Sequence, residues 1–104
     1  GLHGTTYGPG WNKQRYKARQ RDRQCVLCGV APTPLRALDV HHIHARRKFG
    51  YVPGQNTNYR WANHLANLIT LCASCHMRVE MKGTLIPPDY QRLADELLGQ
   101  FIGP

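Results

Sequence analysis

Two C-x2-C pairs, Cys25 with Cys28 and Cys72 with Cys75, constrain this chain more than any other feature of it. A two-residue gap makes a strained disulfide loop but suits two thiolates on one ion. The four cysteines therefore predict a tetrahedral structural Zn2+ site with every position filled and none open for chemistry. The alternative, a pair of disulfides, needs an oxidising compartment. If zinc joins the pairs, residues 29–71 form one long excursion between two knuckles. Doubling a loop's length costs only ~0.6 kcal/mol, whereas structural zinc contributes on the order of 10 kcal/mol. A metal can thus hold the excursion closed. With 104 residues the chain makes one small domain, in the size range where such a staple supports a modest core.

Local patterns fill in the domain. Gly1 to Gly10 is rich in glycine and reads as a flexible lead-in, either a cloning remnant or the cut edge of a larger protein. The folded domain is expected over 11–104. It begins with a helix over 11–23 that has no glycine or proline and carries Lys13, Arg15, Lys17, Arg19, Arg21 and Arg23. Its apolar content is thin, so it is either a solvated helix tied down at its ends or a basic arm along phosphates. The first knuckle, 25–28, turns at Gly29, and Pro32 to Pro34 marks another turn. Leu38, Val40 and His42 then alternate with Asp39, His41 and Ile43 in the period of a strand.

Arg46 to Trp61 is a long connection in which Arg46, Arg47, Lys48 and Arg60 mix with Phe49, Tyr51, Tyr59 and Trp61. Connections of this length are usually functional or disordered. Two readings stand here, a loop ordered against the core that touches nucleic acid and a solvated Ω-loop. Leu68, Ile69 and Leu71 form the apolar run of a buried strand. The second knuckle, 72–75, leads into a helix over 73–82 closed by Gly83, which puts His76 and Glu80 on one face. A last helix starts at Pro87 and Pro88 and runs to Gly99, with Tyr90, Leu93, Ala94, Leu97, Leu98 and Phe101 at core-facing spacing.

Charge narrows the partner. Lysine and arginine number 14 against 6 acidic residues, a formal charge of +8 and a pI near 9.8. This balance points to a polyanion, with nucleic acid the commonest. No run approaches the ~20 apolar residues of a membrane span, and a signal peptide's order of segments is missing. The expectation is an intracellular, cytoplasmic protein of a prokaryote or phage that engages no membrane.

The residues between and around the knuckles are Val40-His41-His42-Ile43, then Asn67-Leu68, then Leu71-Cys72-x-x-Cys75-His76, preceded by Arg21-Asp22. Together and in this order they resemble the HNH endonucleases of the His-Me finger (ββα-metal) class. The resemblance covers about Arg21 to Glu80 and implies an α+β fold, a zinc-stapled ββα core over about 38–82 with flanking helices. It also implies two antiparallel strands and a helix around one Mg2+ or Mn2+ ion, with His41 and His76 as ligands. His42 and Asn67 take the catalytic assignments, His42 as general base and Asn67 holding the base or its strand in orientation.

Elementary chemistry agrees in part. Neighbouring strand residues point to opposite faces, so His41 and His42 do different jobs. A neutral imidazole near its ordinary pKa of ~6.5 accepts a proton at physiological pH. Some members of the family carry a further histidine one helical turn after His76, where this chain has Glu80. That carboxylate is either a third ligand, which favours Mg2+ or Mn2+ over a second zinc, or a solvated group paired with an arginine. Arg78 either reaches a phosphate or is simply exposed, and His3, His44 and His64 have no matching role.

Two functions follow. One is a metal-dependent endonuclease acting on double-stranded DNA, a monomer that nicks one strand per site to leave 5′-phosphate and 3′-hydroxyl. The other is a zinc-stapled nucleic-acid-binding module without turnover. The set His41, His42, Asn67 and His76 separates them, since a binding module has no need of all four. Lys13, Arg15, Lys17, Arg19, Arg46, Arg47, Lys48 and Arg78 are the expected phosphate contacts under either reading, and further domains of a larger parent are an open partner.

Overall fold

The computed structural model describes residues 7–103. Its order is helix α1 (Trp11–Asp22), strand β1 (Asp39–His42), a short α-helical turn α2 (Tyr59–Ala62), strand β2 (Leu68–Leu71), helix α3 (Ala73–Lys82) and helix α4 (Pro88–Ile102). The strands pair antiparallel, with Asp39 opposite Leu71, Val40 opposite Thr70, His41 opposite Ile69 and His42 opposite Leu68. The architecture is α+β, a two-stranded hairpin followed by a helix and flanked by others.

β2 is buried at all four positions. That fits its uninterrupted Leu68-Ile69-Thr70-Leu71 run, because a strand covered on both faces has no polar side to alternate with. Ile69 and Leu71 form one core cluster with Cys25 and Cys75, with Val79, Ile86 and Tyr90 packed around it. The cysteine knuckles and this part of the hydrophobic core are therefore one assembly.

α1 is tied to this core by its C-terminal residues. Arg21 donates to Leu65 O at 2.8 Å and Leu68 O at 2.6 Å, bracketing the entry to β2. The Asp22 carboxylate, fully buried, accepts from Arg21, from Thr70 N at 3.0 Å and from the Tyr90 hydroxyl at 2.6 Å. Burial raises the pKa of Asp22, but these donors outweigh it and hold the carboxyl below its usual range. Arg21-Asp22 thus joins α1, β2 and α4.

Of the two sequence readings of the long connection, the structure has the one ordered against the core and not a solvated Ω-loop. Arg46–Phe49 is a 3-10 turn, and Phe49 and Ala62 are fully buried in a second core cluster with Leu97, against which Trp61, Leu98 and Phe101 pack. Phe49 and Trp61 meet Phe101 edge-on at 5.5 and 5.4 Å. Its aromatic rings serve packing, while Arg47 and Lys48 stay at the surface. The same packing explains why α4 runs through Gly99 to Ile102 and not to Gly99 alone. Continuing the helix seats Phe101 on Phe49 and Trp61, which offsets the ~1 kcal/mol cost of glycine inside a helix. Leu93, expected to face the core, is exposed.

Tyr7 and Gly8, expected to lie outside the fold, pack onto it. Gly8 is buried beneath Tyr59, where an added Cβ would come within 2.7 Å of Tyr59 Cβ. The lead-in's residues 1–6, including His3, lie outside the described residues.

Candidate metal centres and active site

The four thiols are unbridged and converge, their Sγ atoms all lying within 4.8 Å of one another. Cys28 Sγ and Cys72 Sγ are 3.8 Å apart. Zinc–sulfur bonds of about 2.3 Å place tetrahedral ligands about 3.8 Å apart, so the spacing fits one zinc ion. Cys72 also caps α3, its Sγ accepting from Cys75 N at 3.4 Å. Desolvation works to raise the Cys25 thiol, yet hydrogen bonds from the Cys72, Cys28 and Leu27 backbone bring it down to about 6. Burial and the neighbouring sulfurs push Cys75 up to about 12. Such crowded thiols cannot all ionise without a cation to offset their charge, which is the chemistry of a structural zinc site.

The second cluster sits where β1 meets α3. His41 Nδ1 lies 3.1 Å from His76 Nε2 and 3.6 Å from Glu80 Oε1, and His76 Nε2 lies 2.9 Å from the same oxygen. Donors about 2.1 Å from one hexacoordinate ion stand about 3.0 Å apart at right angles, so these three atoms fit a single Mg2+-sized ion. Of the two sequence readings of Glu80, the structure has the carboxylate facing the histidines. His76 Nδ1 is 3.1 Å from Asp39 Oδ2. A carboxylate on the far nitrogen fixes the ring and leaves Nε2 to face the cluster. Burial, then the His76 charge, lower the pKa of His41 and favour its neutral, ligating form. Asp39 was not singled out by sequence, although strand period puts it on the His41 face.

His42 points elsewhere, as strand alternation requires. Its Nε2 lies 2.7 Å from Asn63 Oδ1, and its ring stacks on Trp11 at 4.9 Å between centroids and 21° between planes, with Tyr7 at 5.9 Å and 8°. Burial is the main force on this imidazole and lowers its pKa to about 4, with Arg46 and His41 adding to the effect and the Asn63 bond opposing it. The ordinary value near 6.5 expected from sequence does not hold, because desolvation penalises the cation. Asn63 and Tyr7 carry no motif that sequence could have flagged.

Asn67 is fully buried, and its side chain bonds His44 and Ala62 and not the His42 imidazole. Its Oδ1 accepts from His44 N, and its Nδ2 donates to His44 O and Ala62 O. It is a positioning residue that clips the backbone just beyond His42. His44 Nε2 pairs with Asp95 at 2.7 Å, tying this turn to α4. His64 folds back to accept from Ala66 N.

His41, His42, Arg46, Arg47, His76 and Glu80 share the wall of one open cavity of about 820 Å³ with Tyr7 and Tyr51. Lys13, Lys17, Arg47, Lys48 and Arg78 are exposed. Arg46 lies with its guanidinium 4.3 Å over the Tyr7 ring. Arg15 bonds Asn12, and Arg19 Nε donates to Leu38 O at 2.9 Å, so α1 spends some of its charge on the fold.

With these two clusters in place, the family can be stated. Residues 25–80 match the family described as HNH endonuclease (HNH_2), and the chain belongs to it. That is a family of phosphodiester hydrolases, so its members' substrates are nucleic acids. No curated protein and no solved structure matches the chain. Among the described residues, no helix is long and apolar enough to cross a membrane.

Proposed function

We propose that this chain is a metal-dependent endonuclease that hydrolyses double-stranded DNA. The observation that carries the reading is the convergence of His41 Nδ1, His76 Nε2 and Glu80 Oε1 beside a neutral, half-buried His42 in one cavity wall. A binding module would gain nothing from aligning three ligand atoms at 2.9 to 3.6 Å.

In this mechanism, His41, His76 and Glu80 hold one Mg2+ or Mn2+ ion. When bound, that ion supplies positive charge to the phosphate oxygens and to the leaving 3′-oxygen. His42 takes a proton from the attacking water, the water oxygen bonds to phosphorus, and the bond from phosphorus to the 3′-oxygen breaks. The products are a 5′-phosphate and, once the leaving oxygen is protonated, a 3′-hydroxyl. Asp39 keeps His76 turned to the ion, and Asn67 keeps the chain after His42 in place. Arg47, Lys48 and the exposed lysines of α1 hold the phosphate backbone. Zn2+ at Cys25, Cys28, Cys72 and Cys75 serves as scaffold alone.

The test is incubation of the purified protein with supercoiled plasmid and Mg2+ or Mn2+. Open circles should form before linear product, because one copy of the constellation cuts one strand at a time. Excess chelator should stop the reaction. No cleavage with any divalent ion, alongside retained DNA binding, would replace this reading with that of a binding module.

A further inference from the structure

Asn63 is buried, and both ends of its side chain are engaged. Its Nδ2 donates to the main-chain oxygen of Tyr7 at 2.6 Å, its Oδ1 faces His42 Nε2 at 2.7 Å, and its own carbonyl accepts from Gln14 Nε2 at 3.0 Å. The first of these contacts decides the second. A backbone carbonyl only accepts hydrogen bonds, so the amide must turn its NH2 toward Tyr7 and its oxygen toward His42. The amide oxygen also only accepts, so His42 Nε2 must carry the ring proton. Nδ1 is then the nitrogen with the free lone pair.

The surroundings keep that choice from being undone. Trp11 and Tyr7 lie nearly parallel to the His42 ring, and Arg46 covers the Tyr7 ring. A ring flip would have to break the stacking with both aromatics and would put a C–H where the Asn63 oxygen now finds a proton. Tyr7 and Trp11 also stack on each other at 4.9 Å and 14°, so the chain before α1 and its first turn form one layer.

We propose that Asn63, oriented by the main chain of Tyr7, is the positioning residue that fixes His42 as its Nε2-protonated tautomer and so presents Nδ1 as the proton acceptor. This deepens the nuclease reading and rests on His42 as its base. It also makes Tyr7 part of the active site, since the instruction that sets the tautomer starts 56 positions before Asn63.

Long-range 1H–15N correlation spectra of the zinc-loaded protein without added Mg2+ or Mn2+ read the tautomer directly. They should show His42 protonated at Nε2 and bare at Nδ1, and an Nδ1-protonated or averaged ring would overturn the proposal. Two substitutions add a kinetic arm. Asn63→Leu removes the acceptor, while Asn63→Asp keeps an oxygen for His42, gives up the donor to Tyr7 and adds a negative charge that also holds a proton on Nε2. At saturating Mg2+, Asn63→Leu should lower kcat by about 10²-fold, the usual worth of a general base. KM for plasmid should change by less than about threefold, as expected where ground-state binding is intact. Asn63→Asp should recover most of the loss. Equal losses in both variants, each folded and zinc-loaded, would assign Asn63 a purely structural part and overturn the proposal. If Asn63→Leu does not fold, the wild-type spectra decide. The Nε2 tautomer in a protein that cuts nothing would defeat the nuclease reading and leave the tautomer assignment standing, whereas cleavage from the other tautomer would do the reverse.

Discussion

The side chain of Asn67 grips the backbone of His44 at both polar groups, accepting from its N–H at 2.8 Å and donating to its carbonyl at 3.0 Å. His44 lies two positions after His42, so the grip fixes the end of β1 against the start of β2. Asn67→Ala would leave the His44 N–H and C=O and the Ala62 carbonyl without their partner. Unmade buried hydrogen bonds cost ~1–3 kcal/mol each, so the variant should lose about 3 kcal/mol of stability, measured by chemical denaturation, while keeping its zinc. Wild-type stability would show that the clip is dispensable.

Cys72 belongs to two structures at once, the thiol cluster and the cap of α3. Cys72→Ser should lose zinc and cooperative melting together, because structural zinc contributes on the order of 10 kcal/mol and small domains have only ~5–15 in total. Circular dichroism with a colorimetric zinc assay checks this. A variant that melts as the wild type would end the structural assignment of the site.

The basic residues should divide by what they touch. Arg47 is exposed at the cavity wall, whereas Arg19 is bonded to Leu38 O. Arg47→Ala should reduce the slope of log affinity against log salt by about 1, the share of one phosphate contact. Arg19→Ala should instead lower the melting temperature with little change in slope. Reversed outcomes, read from DNA titrations at several salt concentrations, would put the phosphate track on the other side of α1.

The pH dependence now differs from that of an ordinary imidazole. With its pKa lowered to about 4, His42 is already neutral above about pH 5, so its contribution to cleavage should be flat from pH 6 to 8 at saturating Mg2+. A bound cation next to His41 would push the same way. In the stability of the protein, the sign is set by the unfolded chain. Below about 6.5 the unfolded His42 gains a proton that the folded one refuses, so stability falls as pH drops from 6.5 toward 4. A cleavage inflection near 6.5 under saturating metal would show that His42 is more solvated than the structure has it.

The sequence carried the parts of this protein that are written in residue type and spacing. Cysteine pairs, the His41-His42 alternation and the i, i+4 pair His76 and Glu80 each follow from local geometry, and the structure brings the pairs and the three ligand candidates together. What it withheld depends on distant chain. Asn63 and Tyr7 reach His42 only through tertiary contact, and desolvation of His42 has no sequence signature. The core packing of Phe49 and Trp61 was not legible because composition cannot tell an aromatic ring that faces solvent from one that packs against Phe101. The packing of Tyr7 and Gly8 was hidden for a similar reason, since glycine content said nothing of the Tyr59 ring that Gly8 lets the chain approach.

The division of labour between adjacent histidines is tested most directly by His42→Ala, assayed for plasmid cleavage and Mn2+ binding side by side. His41, His76 and Glu80 remain in this variant, so Mn2+ and DNA affinity should change little while cleavage at saturating metal falls by about 10²-fold or more. Full cleavage by His42→Ala would contradict the account.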